Sequence, residues 1–193
     1  MTLTANRLID IAMSNPLNAE IVNRLPSLGL SQCMLTAGCI FQAVWNQQAG
    51  QPPAWSVNDY DVFYFDEDLS WEAENEVIEA AAQLFQDLGV NVELRNQARV
   101  HLWFSERFGH PYAQLHSARQ GIDRFLVAAT CIGLDIDTLE VYAPHGLAEL
   151  EQGILRINPN YAHPEMFLKK AASYQCRWPW LKIIAPQELS LPG

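Results

Sequence analysis

The sequence predicts an α/β domain of the α+β kind, a mixed sheet flanked by helices, and three observations carry that expectation. Residues 59–65 set two carboxylates at alternate positions before an apolar run, and residues 90–95 alternate apolar and polar, both the mark of a strand. Apolar residues recur at intervals of three and four over residues 39–48 and 71–88, the period of a helix. Hydrophobic residues make up 49% of the 193 positions and charged residues 18%, which suits one domain with a sizeable core rather than a disordered chain.

The elements follow in order. Residues 5–13 place Leu8, Ile9 and Ala12 on one helical side; Asn15-Pro16 breaks that helix, and a second runs over 17–25 until Pro26. Residues 32–37 (Cys33, Met34, Leu35, Thr36) form a short strand ending at Gly38. Residues 39–48 turn Ile40, Phe41, Val44 and Trp45 to one helical face, and a proline-rich loop fills 50–57. After the strand at 59–65, Ser70 is the expected N-cap of a helix over 71–88, with Glu72 and Glu74 against the positive end of its dipole and Gly89 as its stop. Residues 90–95 form a strand, and residues 96–108 form a helix or an irregular segment. Residues 117–125 are helical, residues 130–136 and 139–142 are strands about an Asp135–Asp137 turn, and residues 146–152 form a short helix. Residues 154–157 are extended, residues 166–174 are helical, and Trp178-Pro179-Trp180 packs the C-terminal end. The whole of 1–193 is expected to be one domain, its core at about 30–158, with N-terminal helices and a C-terminal helical extension.

A net charge of -10 argues against an extended nucleic-acid surface or an anionic membrane as partner. Lysine is confined to Lys169, Lys170 and Lys182; a solvated helix face is the expectation for Lys169 and Lys170. Cys33, Cys39, Cys131 and Cys176 stand apart with no zinc spacing, so buried, reduced thiols and a cytoplasmic location are expected. The N-terminus lacks a basic stretch followed by an apolar one, and no apolar run is long enough to span a bilayer.

The chemistry concentrates at Asn58-Asp59-Tyr60-Asp61-Val62-Phe63-Tyr64-Phe65. Side chains two apart on a strand share a face, so Asp59 and Asp61 lie side by side next to an apolar run. Two like charges there repel and resist desolvation, a conflict that a cation resolves. If the strands at 32–37 and 59–65 run antiparallel, the Gly38-Cys39 turn lies at the same sheet edge. Glycine lets a phosphate approach the backbone, and the helix that follows offers free N–H groups. Glu93, midway along the 90–95 strand, is the candidate third carboxylate of a magnesium site.

Gly38-Cys39-Ile40, Gln42-Ala43-Val44-Trp45-Asn46, Asn58 to Asp66, Glu93 to Trp103 and Ala129-Thr130-Cys131-Ile132-Gly133 together resemble the bacterial nucleotidyltransferase-like family of small single-domain proteins. The similarity covers most of residues 35–158, and Arg95-Asn96-Gln97-Ala98-Arg99-Val100-His101 is its most specific block. The resemblance implies a nucleotidyltransferase fold and transfer of a nucleoside monophosphate from a nucleoside triphosphate to an unknown acceptor, dependent on magnesium or on manganese in its place. It implies Asp59, Asp61 and Glu93 as metal ligands and catalytic carboxylates, and Gly38 and Cys39 as the phosphate turn. Cys39 stands where the wider superfamily usually has serine, and the connection to the acidic strand is longer than in compact members.

Other readings stand beside these. Asp59 and Asp61 also suit a strand cap with a solvated turn, and Glu93 also suits an ion pair with Arg95 or Arg99. Arg95 and Arg99 either neutralise phosphate oxygens of the nucleotide or form a structural ion-pair network. His101, between Val100 and Leu102, is expected to be a hydrogen-bonded structural residue. Trp45, Trp55, Trp71 and Trp103 either fill the core or stack on a base. In function, a nucleotide- or metabolite-binding module that has lost transfer is the first rival, and a protein-modifying or toxin-system enzyme the second.

Overall fold

A computed structural model describes residues 2–186. Two short helices open the chain, α1 (Ala5–Met13) and α2 (Pro16–Arg24). The Asn15 side chain caps α2 by accepting from the Leu17 amide at 3.1 Å, and Pro16 takes the first helical position, where its missing N–H costs nothing. Then come β1 (Met34–Thr36), α3 (Gly38–Gln48), β2 (Asp59–Tyr64), α4 (Trp71–Phe85), β3 (Asn91–Asn96) and α5 (Val100–Phe108). The remainder comprises α6 (Ala118–Ile122), β4 (Gly133–Asp135), β5 (Val141–Tyr142), α7 (Ala148–Gln152), β6 (Ile154–Leu155), α8 (Pro164–Arg177) and β7 (Lys182–Ile183). Among the described residues no helix is long and apolar enough to cross a membrane.

The first five strands make one mixed sheet in the order β3-β2-β1-β4-β5. The strand β1 runs antiparallel to β2 and β4, and β2 runs parallel to β3. The antiparallel β1–β2 pair is the arrangement that brings the Gly38 turn to the start of the acidic strand. The short β6 and β7 pair separately, in parallel. Period-2 alternation sorts the sheet's two faces. Leu35, Tyr60, Val62, Tyr64 and Leu94 turn into the main core with α1, α3 and α4. On the opposite face a smaller cluster of Met34, Ala118, Ile122 and Cys131 covers only part of the sheet. Gly133 permits that contact, because a Cβ there would lie 2.5 Å from Ile122 Cδ1.

Several expected bounds shift. The first strand shrinks to three residues because Gln32 (φ 51°) and Ala37 (φ 59°) both leave the extended region. The segment 96–108 resolves into a 3₁₀ turn at Gln97–Arg99 and the helix α5. The expected strand 130–136 pairs only over Gly133–Asp135, since residues 128–130 form another 3₁₀ turn. Cys33, Cys39 and Cys131 are buried as expected, but Cys176 is exposed.

Candidate active site

Asp59 and Asp61 share a face of β2 with Phe63, opposite the buried Tyr60, Val62 and Tyr64. Asp61 lies in register with Thr36 on one side and Glu93 on the other. Asp59 is exposed and accepts a 3.0 Å hydrogen bond from Asn91 Nδ2. Burial pushes the Asp61 carboxyl up from 3.8 to about 6; the nearby charges of Glu93 and Asp59 push the same way, while Lys170 and Arg95 oppose them. That face therefore holds a carboxylate that is costly to ionise unless a cation accompanies it.

A cavity of about 550 Å³ opens on this face. Asp59, Asp61, Gly38 and Arg95 line it; Glu93, Cys39 and Arg99 do not. Gly38 begins α3, so its N–H and that of Cys39 have no partner within the helix. The Ile40 and Phe41 amides return to the Ala37 carbonyl at 3.2 and 3.4 Å. The Gln42 amide lies over Gly38 so closely that a Cβ would sit 2.4 Å from Nε2.

Four expectations change in detail. Arg99 takes the ion-pair reading and stays off the cavity: its guanidinium is buried, pairs with Glu74 of α4, and donates to the Leu69 carbonyl at 3.0 Å. The same Glu74 accepts the Asn96 amide at 3.0 Å, so this pair ties β3 to α4 behind the sheet. Cys39 turns its thiol inward, where it donates to the Thr36 carbonyl at 3.1 Å, and burial pushes its pKa far up. The phosphate turn is thus left to backbone N–H groups. Glu93 keeps to the face of Asp61 but is engaged by Arg95. His101, expected to be hydrogen-bonded, has its Nδ1 buried without a partner.

Among the described residues no group of three or more His, Cys, Asp and Glu side chains could hold a metal ion. The pair Asp59 and Asp61 still fits a hard cation by its chemistry, oxygen donors on one strand face with the Asp61 carboxyl held above its ordinary pKa.

Most of the cavity wall comes from residues outside the expected site. Met166, Lys170, Tyr174 and Arg177, spaced four, four and three apart on α8, form a stripe along it. Burial lowers the pKa of Lys170, as does Arg177, while Asp61 raises it. Lys170 is exposed, as expected of a solvated helix face, and from there it also lines the cavity within reach of the Asp61 charge. Arg177 Nη1 donates to the Ser56 carbonyl at 3.3 Å and to Gln42 Oε1 at 3.4 Å, which holds it beside Gly38. Val100, Trp103, Phe104 and Phe108 of α5 supply a second stripe, joined by Tyr112, Arg124 and Tyr161. Helical period would have found both stripes in the sequence. Of the tryptophans, Trp45 is core, Trp71 is exposed and Trp103 lines the cavity.

A solved structure described as a CCA-adding enzyme head domain superposes with a TM-score of 0.73, covering 94% of this chain and 96% of that one at 22% identity, which establishes a common fold. A search of curated proteins finds no match. Residues 23–183 match the family described as nucleotidyltransferase, a span that takes in β1, the Gly38 turn, the Asp-x-Asp strand and the α8 stripe. By that match the chain belongs to the nucleotidyltransferase family, transferases of phosphorus-containing groups.

Proposed function

We propose that this chain moves a nucleoside monophosphate from a nucleoside triphosphate to an acceptor with loss of pyrophosphate, using magnesium, or manganese in its place, held by Asp59 and Asp61. One observation carries the reading: a single cavity is lined by two carboxylates, an open helix N-terminus at Gly38, and the cations Lys170 and Arg177. A triphosphate needs all three. Its volume of about 550 Å³ suits a small ligand of this kind. The metal would polarise the α-phosphate and stabilise charge at the reacting oxygens. The Gly38 and Cys39 amides hold phosphate oxygens at the positive end of α3. Arg177, fixed by Gln42 and Ser56, and Lys170, facing Asp61, grip the remaining phosphates. Arg95 binds Glu93 in the resting chain, and its release toward phosphate would free Glu93 to join the aspartates.

Incubation with magnesium and α-labelled nucleoside triphosphates, reading pyrophosphate release and the fate of the label, tests the proposal and reveals whether the acceptor is protein, RNA or small molecule. Asp59→Ala and Asp61→Ala should lose transfer and remain folded; full activity in both sinks the assignment. Nucleotide binding with no pyrophosphate released would instead favour a binding module, the reading that the Glu93–Arg95 pair and the inward Cys39 thiol support.

A further inference from the structure

The cavity's far wall has a chemistry of its own. Phe104 and Tyr112 lie with ring centroids 4.2 Å apart and an interplanar angle of 36°, and Tyr161 meets Tyr112 edge-on at 6.2 Å. Arg124 places its guanidinium 5.0 Å from the Tyr112 ring and 5.6 Å from that of Tyr161. None of the ion pairs among the described residues includes Arg124. Phe104 also meets Phe108 at 4.6 Å, yet Phe104 and Tyr112 remain half-buried and line the cavity with Trp103. The Tyr161 hydroxyl is buried without a hydrogen-bond partner. A purely apolar ligand would satisfy neither that hydroxyl nor the unpaired guanidinium; a flat heteroaromatic ring suits the rings and both polar groups.

We infer that the wall formed by Phe104, Tyr112, Tyr161 and Arg124 is the base-binding subsite for the nucleoside triphosphate donor, so that part of the donor's affinity comes from ring stacking. This rests on the proposed transfer reading, which places the phosphates at the other wall, between Gly38, Lys170 and Arg177. The two walls line one cavity, so one ligand spans them. The affinity of a nucleotide then divides into a phosphate part and a ring part, and inorganic triphosphate measures the first alone.

Calorimetry with magnesium compares ATP with inorganic triphosphate on the wild-type chain and on Phe104→Ala and Tyr112→Ala. ATP should bind the wild type more tightly than triphosphate; each variant should weaken ATP by about tenfold and leave triphosphate within about twofold. Tyr112→Phe should keep nearly all ATP affinity. Thermal melting checks folding, and where an alanine variant melts early, Tyr112→Leu repeats the test with volume kept and aromaticity lost. Equal binding of ATP and triphosphate by the wild type, or equal losses for both ligands in the variants, overturns the subsite and leaves the transfer reading standing. A wild-type chain that binds neither ligand overturns both.

Discussion

Replacing Asp61 by asparagine should stabilise the chain and silence it at once. The Asp61 pKa rises from 3.8 to about 6, first through burial and then through Glu93 and Asp59. For an acid with a raised folded-state pKa, the stabilising contribution is fully present below about 3.8 and is lost as the pH climbs through about 6. At 1.36 kcal/mol per pH unit, a rise of about two units makes ionised Asp61 cost roughly 3 kcal/mol at pH 8. Asparagine keeps the shape and removes the charge, so Asp61→Asn should gain up to roughly 3 kcal/mol over wild type at pH 8 and almost nothing at pH 4. A gain of that size raises the melting temperature by several degrees in a chain this long. Urea denaturation in chelator, at both pH values, is the assay. The comparison must be between variant and wild type. Asp68, bonded by Ser70, and Asp87, bonded by Arg24, have lowered pKa values, and their stabilisation is lost toward acid, the opposite direction. Magnesium should then stabilise wild type at pH 8 and leave Asp61→Asn unmoved. Parallel pH curves, or an asparagine variant weaker than wild type at pH 8, would refute the claim that this face is electrostatically strained.

Three further outcomes follow from named contacts. Glu74→Ala strands the buried Arg99 guanidinium and the Asn96 amide, and should cost about 3–5 kcal/mol in urea titration. Ala37 holds φ 59° and ψ -139°, a region open to glycine and strained by about 1–3 kcal/mol otherwise. Ala37→Gly should therefore raise the unfolding free energy in urea titration by about 1 kcal/mol after the glycine's own entropy cost; a fall would mean the turn is not strained. Lys170→Met should raise the KM for nucleoside triphosphate by about tenfold or more in initial-rate pyrophosphate release, with melting unchanged.

The acidic strand was legible because strand period permits one outcome. With Tyr60, Val62 and Tyr64 committed to the core, Asp59 and Asp61 must face the other way. The Gly38 turn followed once β1 and β2 were paired antiparallel. Glu93 was legible as the third carboxylate and as a partner of Arg95 or Arg99, but not which of these it would be. Arg95 lies on the same face by the same rule, and which of two neighbours takes the carboxylate depends on side-chain conformers. Arg99 takes its ion-pair reading for a backbone reason. Counting by twos from Glu93 puts it on the cavity face, but the strand ends at Asn96 and a 3₁₀ turn rotates residues 97–99 toward α4. Arg99 lies in the segment read as a helix or an irregular piece, where no strand period sets the direction of a side chain.

The cations were hidden differently. A face with two carboxylates cannot hold a polyanion without compensating positive charge, so the acidic strand itself demands cations from elsewhere. Lysine occurs at only three positions, and two of them are adjacent in α8, where neighbours lie about 100° apart around the axis. Only one of the two can face any given wall. Lys170 repeats with Met166, Tyr174 and Arg177 at helical spacing; Lys169 does not. Tyr174 is buried in the core with Phe41 and Trp45, which fixes the rotation of α8 and so turns Lys170 toward Asp61 and Arg177 toward Gln42 and Ser56. The aromatic packing of the C-terminal helix thus sets the electrostatics of a strand far earlier in the chain, and a phenylalanine at Tyr174 should preserve that rotation where an alanine should lose it.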